Sequence, residues 1–381
     1  MTDRVADWTA LIEAQYPLRH AASWDNAGLQ VGSGSDPVSG VLIALDVTEA
    51  VLDEAATVGA DLLITHHPLL FRPLARLTPD TAAGALALAA ARRGIAVYAA
   101  HTNFDVAEGG TTSPVVDILG LEAVRPLKGQ SDTADEICKL TTFVPSDDTP
   151  AVIAALGAAG AGEIGEYAEC TFRVPGTGTF RPSAEANPAV GERGERNEVA
   201  EDRLEVEVPR SRLAAVIAAL WDAHPYEEVA YDVYELLDDR PAGRGLGRIG
   251  DLPETITLRT VADRLARELP APHLRLAGDP AVPVRRVAAC GGAGDGLIDD
   301  ARAAGADVYI TGDLRHHPTL DALTAGMALI DAGHYAMEAA ALPSLRSTLA
   351  TDATRSDLEA TLYLSALRTE PWAEYRPPGG P

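Results

Sequence analysis

Cysteine is scarce in this chain: 3 residues in 381, Cys138, Cys170 and Cys290, scattered and never in a Cys-x-x-Cys pair. That pattern excludes a disulfide framework and a thiolate zinc knuckle and suits a reducing compartment. Positive charge is short as well, with 31 Lys and Arg against 56 Asp and Glu and a formal net charge of −25. Phosphate backbones are bound by Lys/Arg neutralisation, so neither nucleic acid nor an anionic membrane is an expected partner. No uninterrupted apolar run reaches membrane-spanning length, and the first residues lack the basic start and apolar core of a secretory leader. Phosphate-loop spacing is absent too. The expectation is a cytoplasmic protein.

What the chain does have is one pattern used twice. Gly59-Ala60-Asp61-Leu62-Leu63-Ile64-Thr65-His66-His67-Pro68 reads as a short buried strand of a parallel sheet that ends in two imidazoles and a proline. In an open α/β sheet, ligands sit at the carboxyl ends of strands. The stretches Gly94 to Asp105 and Gly326 to Glu338 repeat the logic: a glycine, an apolar strand, then His with a carboxylate four residues on. Gly305-Ala306-Asp307-Val308-Tyr309-Ile310-Thr311 mirrors Gly59 to Thr65. Self-similarity over such a distance is no solenoid period. It predicts one α/β unit used twice, the copies facing each other across a site.

One copy then supplies His66, His67 and Asp105, and the other His334 and Glu338. Residues i and i+4 share a helix face, so His334 and Glu338 can reach one ion together. Neutral imidazoles suit Zn, Fe, Mn or Ni better than Mg or Ca. Three imidazoles and two carboxylates exceed the roughly three protein ligands of a catalytic zinc. They suit two ions roughly 3.5–4 Å apart, which together acidify a shared water. His101 is a candidate proton shuttle or a donor behind the ligands, with a strand-end capping histidine as the alternative. In the second copy Gly312-Asp313 stand where His66-His67 stand, which makes Asp313 and His317 candidates for the pocket rim before the ligand set.

Around these motifs, periodicity and capping predict helices over 5–16, 49–58 (capped by Thr48), 79–93, 260–269 and 336–349, and strands over 41–45, 284–288 and 358–367. Ser23 to Gly32 turns around Trp24 and Leu29, both expected buried, as either a structural loop or a pocket wall. The run Cys290 to Gly296, before a helix over 297–304, fits either a tight strand-to-helix turn or an anion-receiving helix start. After Pro126 the composition changes. Strands over 136–144, 167–174, 203–208 and 229–236, helices over 152–157 and 213–221, and a Gly/Pro-rich loop or hairpin excursion over 175–200 make a β-α-β-β-α-β, ferredoxin-like order. The expected domains are a core in two halves, 1–127 and 244–370, an inserted α+β domain over 128–243, and a loose tail over 371–381.

Asp25-Asn26-Ala27-Gly28-Leu29-Gln30-Val31-Gly32, Ile64-Thr65-His66-His67-Pro68, His101-Thr102-Asn103-Phe104-Asp105, Ile310-Thr311-Gly312-Asp313 and Gly333-His334-Tyr335-Ala336-Met337-Glu338 together resemble the NIF-three-like family. Its members are often labelled GTP cyclohydrolase I type 2 homologues, and the resemblance covers nearly the whole chain. It implies a duplicated α/β core with two divalent metal ions per chain on His66, His67, Asp105, His334 and Glu338. It also implies a toroidal homohexamer with the metal sites lining an interior cavity. The insert resembles the family's optional PII-like or CutA-like module, on Cys170-Thr171-Phe172, Gly176 to Pro182, Ala186-Asn187-Pro188 and His224 to Asp232. Such modules tend to trimerise. His224 and Glu227 are metal candidates there, but a loop locked by Tyr226 packing is the preferred reading. One departure is Met337, where family members often carry Ser. The family label implies a metal-dependent hydrolase of a small polar or nucleotide substrate, with metal-bound hydroxide as nucleophile and His101 moving protons. A dinuclear phosphoesterase and a non-enzymatic metal-holding or regulatory assembly are the alternatives.

Overall fold

Leu62–Thr65 forms a strand with all four side chains buried, so both faces of its sheet are covered. The period of two sends Leu62 and Ile64 to one face, packed with Val5, Trp8, Leu345 and Leu349, and Leu63 to the other, against Val51, Leu52 and Ala90. Those partners lie on the helices Val5–Gln15, Leu342–Arg355, Glu49–Val58 and Ala82–Arg93. The computed structural model describes residues 2–130, 137–165, 167–236, 243–270 and 273–373. It separates into one unit of residues 1–130 and 241–381 and a second of residues 131–240.

The first unit is duplicated. In its first sheet, Gly40–Ala44, Leu62–Thr65 and Ala96–Ala99 run parallel and adjacent, and Gly28–Val31 pairs antiparallel to the last of them. In its second sheet, Pro283–Ala293, Val308–Gly312 and Ala328–Asp331 do the same, with Arg275–Ala277 as the antiparallel edge. The copies differ at the opposite edge. There the first adds the parallel strand Thr361–Leu364, and the second adds the antiparallel strands Gly245–Thr257 and Glu122–Gly129. The crossovers are set locally: Thr48 Oγ1 accepts from Val51 N–H at 3.2 Å to start one helix, and Gly59, at φ +72°, ends it in the left-handed region.

The second unit is the α+β, ferredoxin-like order expected, with strands Ile137–Pro145, Thr171–Phe180, Asn197–Pro209 and Tyr231–Glu235 and helices Thr149–Ala158 and Leu213–Ala223. The expected loop or hairpin excursion over 175–200 is a hairpin: 175–180 and 197–200 are strand, Phe180 pairs with Asn197, the ladder runs back to Thr171 and Val206, and 181–196 is its loop. Thr171–Phe180 is an edge strand, where Pro175 and the glycines cost little pairing.

Three further expectations change. The helix over 336–349 is two helices, His334–Ala339 and Leu342–Arg355, because Pro343 has no N–H to continue the first and suits the opening turn of the second. The last strand is only Thr361–Leu364. Strand Pro283–Ala293 runs through Cys290 and Gly291, so the glycines are not a simple strand-to-helix turn. Of the tail expected to be loose, 374–381 lies outside the described residues, as do 131–136 and 237–242 beside the insert. Among the described residues, no helix is long and apolar enough to cross a membrane.

Ile64→Ala should destabilise the fold by about 2–5 kcal/mol, the usual cost of a large core truncation. A urea midpoint that barely moves would show that the strand beneath the histidine pair is not sealed on both faces.

Candidate metal centre

The carboxyl ends of the parallel strands of both copies bring the predicted residues together. His66 and His67 follow Leu62–Thr65 directly. His101 precedes the one-turn helix Thr102–Asp105, and His334 opens the helix that carries Glu338, after Gly333 at φ +85° turns the chain out of its strand. His67 Nε2, His334 Nε2 and Glu338 Oε2 form a triangle with sides of 3.0, 3.1 and 3.3 Å. Donors held at metal bonds of about 2.0–2.1 Å in a tetrahedron are about 3.3 Å apart, so these atoms already have the spacing of a coordination shell. The other carboxylate oxygen, Glu338 Oε1, lies 3.5 Å from His66 Nε2, which is 3.6 Å from Asp105 Oδ1. His66, His67 and His101 form a second group whose ring nitrogens are mutually close enough to hold an ion.

Hydrogen bonding decides which nitrogen of each ring is free. His66 Nδ1 faces the Ala100 carbonyl at 2.9 Å, His67 Nδ1 faces Asp46 at 2.7 Å, His101 Nδ1 faces Asp25 at 2.7 Å and His334 Nδ1 faces Asp313 at 2.8 Å. All four partners are acceptors, so each Nδ1 carries the proton and each neutral ring turns an Nε2 lone pair inward. Imidazoles backed in this way by carboxylates or carbonyls are the usual metal-ligand arrangement. His66 Nε2 and Glu338 Oε2 are buried with no hydrogen-bond partner. Lone pairs facing a carboxylate at 3.0–3.6 Å repel unless a cation lies between them.

Protons can serve as that cation. Burial alone would lower the pKa of His67, but Asp46 and Glu338 outweigh it and push it up to about 10. For His334, Glu338 and Asp313 overcome burial and raise it to about 9. Burial opposes the charged form of Glu338, yet His66, His334 and His67 hold its carboxyl well below the usual range. Asp105 goes the other way, raised by its burial and by repulsion from Glu338 despite His66. Asp25 is held at about 2 because hydrogen bonds from His101 and Thr102 outweigh its burial.

Several residues that shape the centre went unassigned in the sequence. Asp46 and Asp25 orient His67 and His101, and Asp313, expected only at the rim, holds His334. Thr111 Oγ1 donates to Asp105 at 2.5 Å. Gly292, at φ +65°, lies where a Cβ would run into Glu338 Oε1, and a Cβ on Gly291 would run into Thr111. The Gly-rich run makes room for the site, and the helix behind it, Ile298–Ala303, is too short for an anion-binding start. His317 is exposed on the helix His316–Thr324 and belongs to neither group of possible ligands. Trp24 and Leu29 are exposed rather than buried, at 62% and 38%, so the loop is a pocket wall. In the insert, His224 Nε2 donates to the Phe143 carbonyl and Nδ1 accepts from Tyr226 N–H, while Glu227 accepts from Asn187 N–H. Both rings of that loop are locked by packing, with the Tyr226 hydroxyl on Glu201 at 2.7 Å.

Because His67 and His334 keep their protons above neutrality in the metal-free protein, an incoming ion must displace them. The apparent affinity for Mn²⁺ should therefore keep climbing between about pH 7 and 9, with protons released on binding, instead of levelling off above the ordinary imidazole range near 6.5. Titration calorimetry in buffers of different ionisation enthalpy measures both; a plateau by about pH 7 would show that these imidazoles are not protonated partners of Glu338. Gly292→Ala should fold yet bind metal at least about tenfold more weakly, the scale expected when a ligand's support is displaced.

The sequence model of the family described as Duf34/NIF3 (NGG1p interacting factor 3) matches residues 4–371. A Bacillus subtilis protein called GTP cyclohydrolase 1 type 2 homolog is 43% identical over 326 residues, 86% of this chain and 87% of its own. A Mycobacterium tuberculosis protein of the same name is 43% identical over 341 residues, 89% of each. Among solved structures, a Bacillus cereus protein related to NIF3 aligns with a TM-score of 0.70 at 40% identity, covering 98% of this chain and 100% of that one. A Staphylococcus aureus protein aligns with a TM-score of 0.77 at 27% identity, covering 98% and 99%. With its duplicated α/β core, its inserted α+β unit and these relatives, the chain belongs to the Duf34/NIF3 family.

Proposed function

We propose that this protein holds two divalent metal ions and uses them to hydrolyse a small polar or nucleotide substrate. His66, Asp105 and Glu338 Oε1 would hold one ion, and His67, His334 and Glu338 Oε2 the other, with Glu338 spanning both. The observation that carries the reading is the convergence of three imidazole nitrogens, His66 Nε2, His67 Nε2 and His334 Nε2, on the buried Glu338 carboxylate at 3.0–3.5 Å. Imidazole and carboxylate donors suit Zn, Fe, Mn or Ni. When bound, such ions lower the pKa of water toward neutrality and offset charge that develops on the substrate.

The chain's own residues do the rest. A cavity of about 840 Å³ reaches His67, His101, Asp105, His334 and Glu338, a size that fits a small molecule. Asp25 accepts a hydrogen bond from the Nδ1–H of His101, so Nε2 is the atom left to exchange a proton with the reacting group. Asp46 and Asp313 keep the His67 and His334 rings from turning as the substrate binds. The curated relatives are named as homologues of a GTP cyclohydrolase, which supports a hydrolytic reading of the same site. We propose also that the protein is cytoplasmic and assembles as a toroidal homohexamer, with residues 128–243 as a separable PII-like module.

Elemental analysis of freshly purified protein should find two metals per chain, and Glu338→Gln should hold less than half of that. On a panel of nucleotides and phosphoesters, wild type should turn over and Glu338→Gln should not. His101→Gln should keep its metal and lose about 10²–10⁴-fold in rate, the usual contribution of a general acid or base. Turnover that survives Glu338→Gln would sink the hydrolase reading. A metal-loaded wild type inert on the whole panel would favour a metal-holding assembly without catalysis.

A further inference from the structure

Beside the metal centre, three rings stand edge to face. Trp24 lies 6.0 Å from Phe71 and 6.2 Å from His101, and Phe71 lies 6.2 Å from His101, with interplanar angles of 66°, 77° and 84°. All three line the cavity that also reaches His67, His334 and Glu338. Trp24 and Phe71 are 62% and 44% exposed, in a chain with only 5% aromatic residues.

Their exposure is not loop slack. Asn26 Nδ2 donates to the Leu70 carbonyl at 2.5 Å, Leu70 N–H donates to Gln30 Oε1 at 2.9 Å, and Gln30 Nε2 donates to the Asn26 carbonyl at 2.6 Å. The first two bonds fasten the segment bearing Phe71 to the loop bearing Trp24, and the third braces that loop. The same loop carries Asp25, which fixes His101. Two large apolar rings are thus held out toward solvent by dedicated hydrogen bonds, a cost in unburied apolar surface that packing does not recover.

We propose that Trp24 and Phe71 form a stacking wall that selects substrates carrying a planar heteroaromatic ring joined to a phosphate or similar anionic group. The ring lies on an open face of the wall and not between its members, since a slot for a ring needs about 7 Å, twice the van der Waals contact distance. Base–aromatic stacking tolerates any planar ring, so the wall selects for ring presence more than for ring identity. The anionic end points to the metal centre, with Lys128 on the same cavity wall. This deepens the hydrolase reading and rests on it for that anionic end; the stacking contact needs no metal. Trp24 and Phe71 are positioning residues for the substrate.

The test is equilibrium dialysis of the full-length, metal-loaded protein against adenosine 5′-monophosphate and ribose 5-phosphate, which share the sugar phosphate and differ in the ring. Wild type should bind the ring-bearing probe at least about tenfold more tightly, and Trp24→Ala should bring the two within about twofold, on the scale of one base–aromatic stack. Trp24→Phe should retain most of the preference. Metal content, counted in the same samples, should be unchanged by either substitution. Equal binding of both probes by wild type, or a preference that survives Trp24→Ala, overturns the proposal. A sample that holds no metal but still prefers the ring through Trp24 overturns the metal centre and supports the wall.

Discussion

The carboxylate of Glu338 is the constraint on which the rest of the first unit depends. It is 4% exposed, faces three imidazole nitrogens, and sits where glycine alone leaves room for it. A buried charge of this kind is tolerable only when compensated at close range. Each compensating ring is itself tied from behind to an acceptor, so the inward lone pairs cannot rotate away. The result is a fixed negative cage whose occupant has to be positive. Protons satisfy it in part, as the raised pKa values of His67 and His334 record. A metal ion could satisfy it with the directionality that the donor spacing already has.

The duplication explains how such a cage can be built without symmetry. Both copies deliver an antiparallel edge and three parallel strands, so both present strand ends to the same region. They present different chemistry there. The first ends its middle strand in His66-His67; the second ends the equivalent strand in Gly312-Asp313. Gly312 has no side chain because the backbone at His334 packs against it, and Asp313 holds the His334 ring. A histidine at 312 would run into the backbone of His334, so the second copy cannot carry the pair and keep His334 where it is. One complete site takes the place of two half-sites.

Much of this was legible in the sequence, for identifiable reasons. Strands such as Leu62–Thr65 are short apolar runs with turn residues at both ends, and their residues meet over few alternatives. His334 and Glu338 are four apart, a spacing that one helical turn converts into proximity. What escaped were residues whose role depends on a partner remote in the chain. Asp46 and Asp25 are 21 and 76 residues from the histidines they orient, and no local pattern marks them. Trp24 stands outward on a loop fixed by hydrogen bonds to Leu70, in another segment, which the loop's own turn residues do not reveal. In the insert, Pro175 and its neighbouring glycines hid the continuation of a strand from 175 to 180, since edge strands tolerate residues that inner strands reject.

The two donor sets are unequal in their access to solvent. The His66 side chain is fully buried, whereas those of His67 and His334 are 27% and 33% exposed. His67 and His334 also line a second cavity, of about 1110 Å³, on the side of Asp46 and Trp372. Thr369, near the end of the described chain, hydrogen-bonds Asp46 and so braces His67 from that side. His66, walled by Phe104 and the Ala100 carbonyl, therefore sits behind His67 and His334, which are open on two sides, while Asp105 reaches the cavity on the Trp24 side together with them. Charge near His67 and His334 is screened by water, whereas charge at the fully buried His66 is held at lower dielectric and is felt strongly by the Glu338 carboxylate. A ligand entering from the Trp24 side would meet His67, Asp105, His334 and Glu338 together, with only the His66 ring fixed behind them.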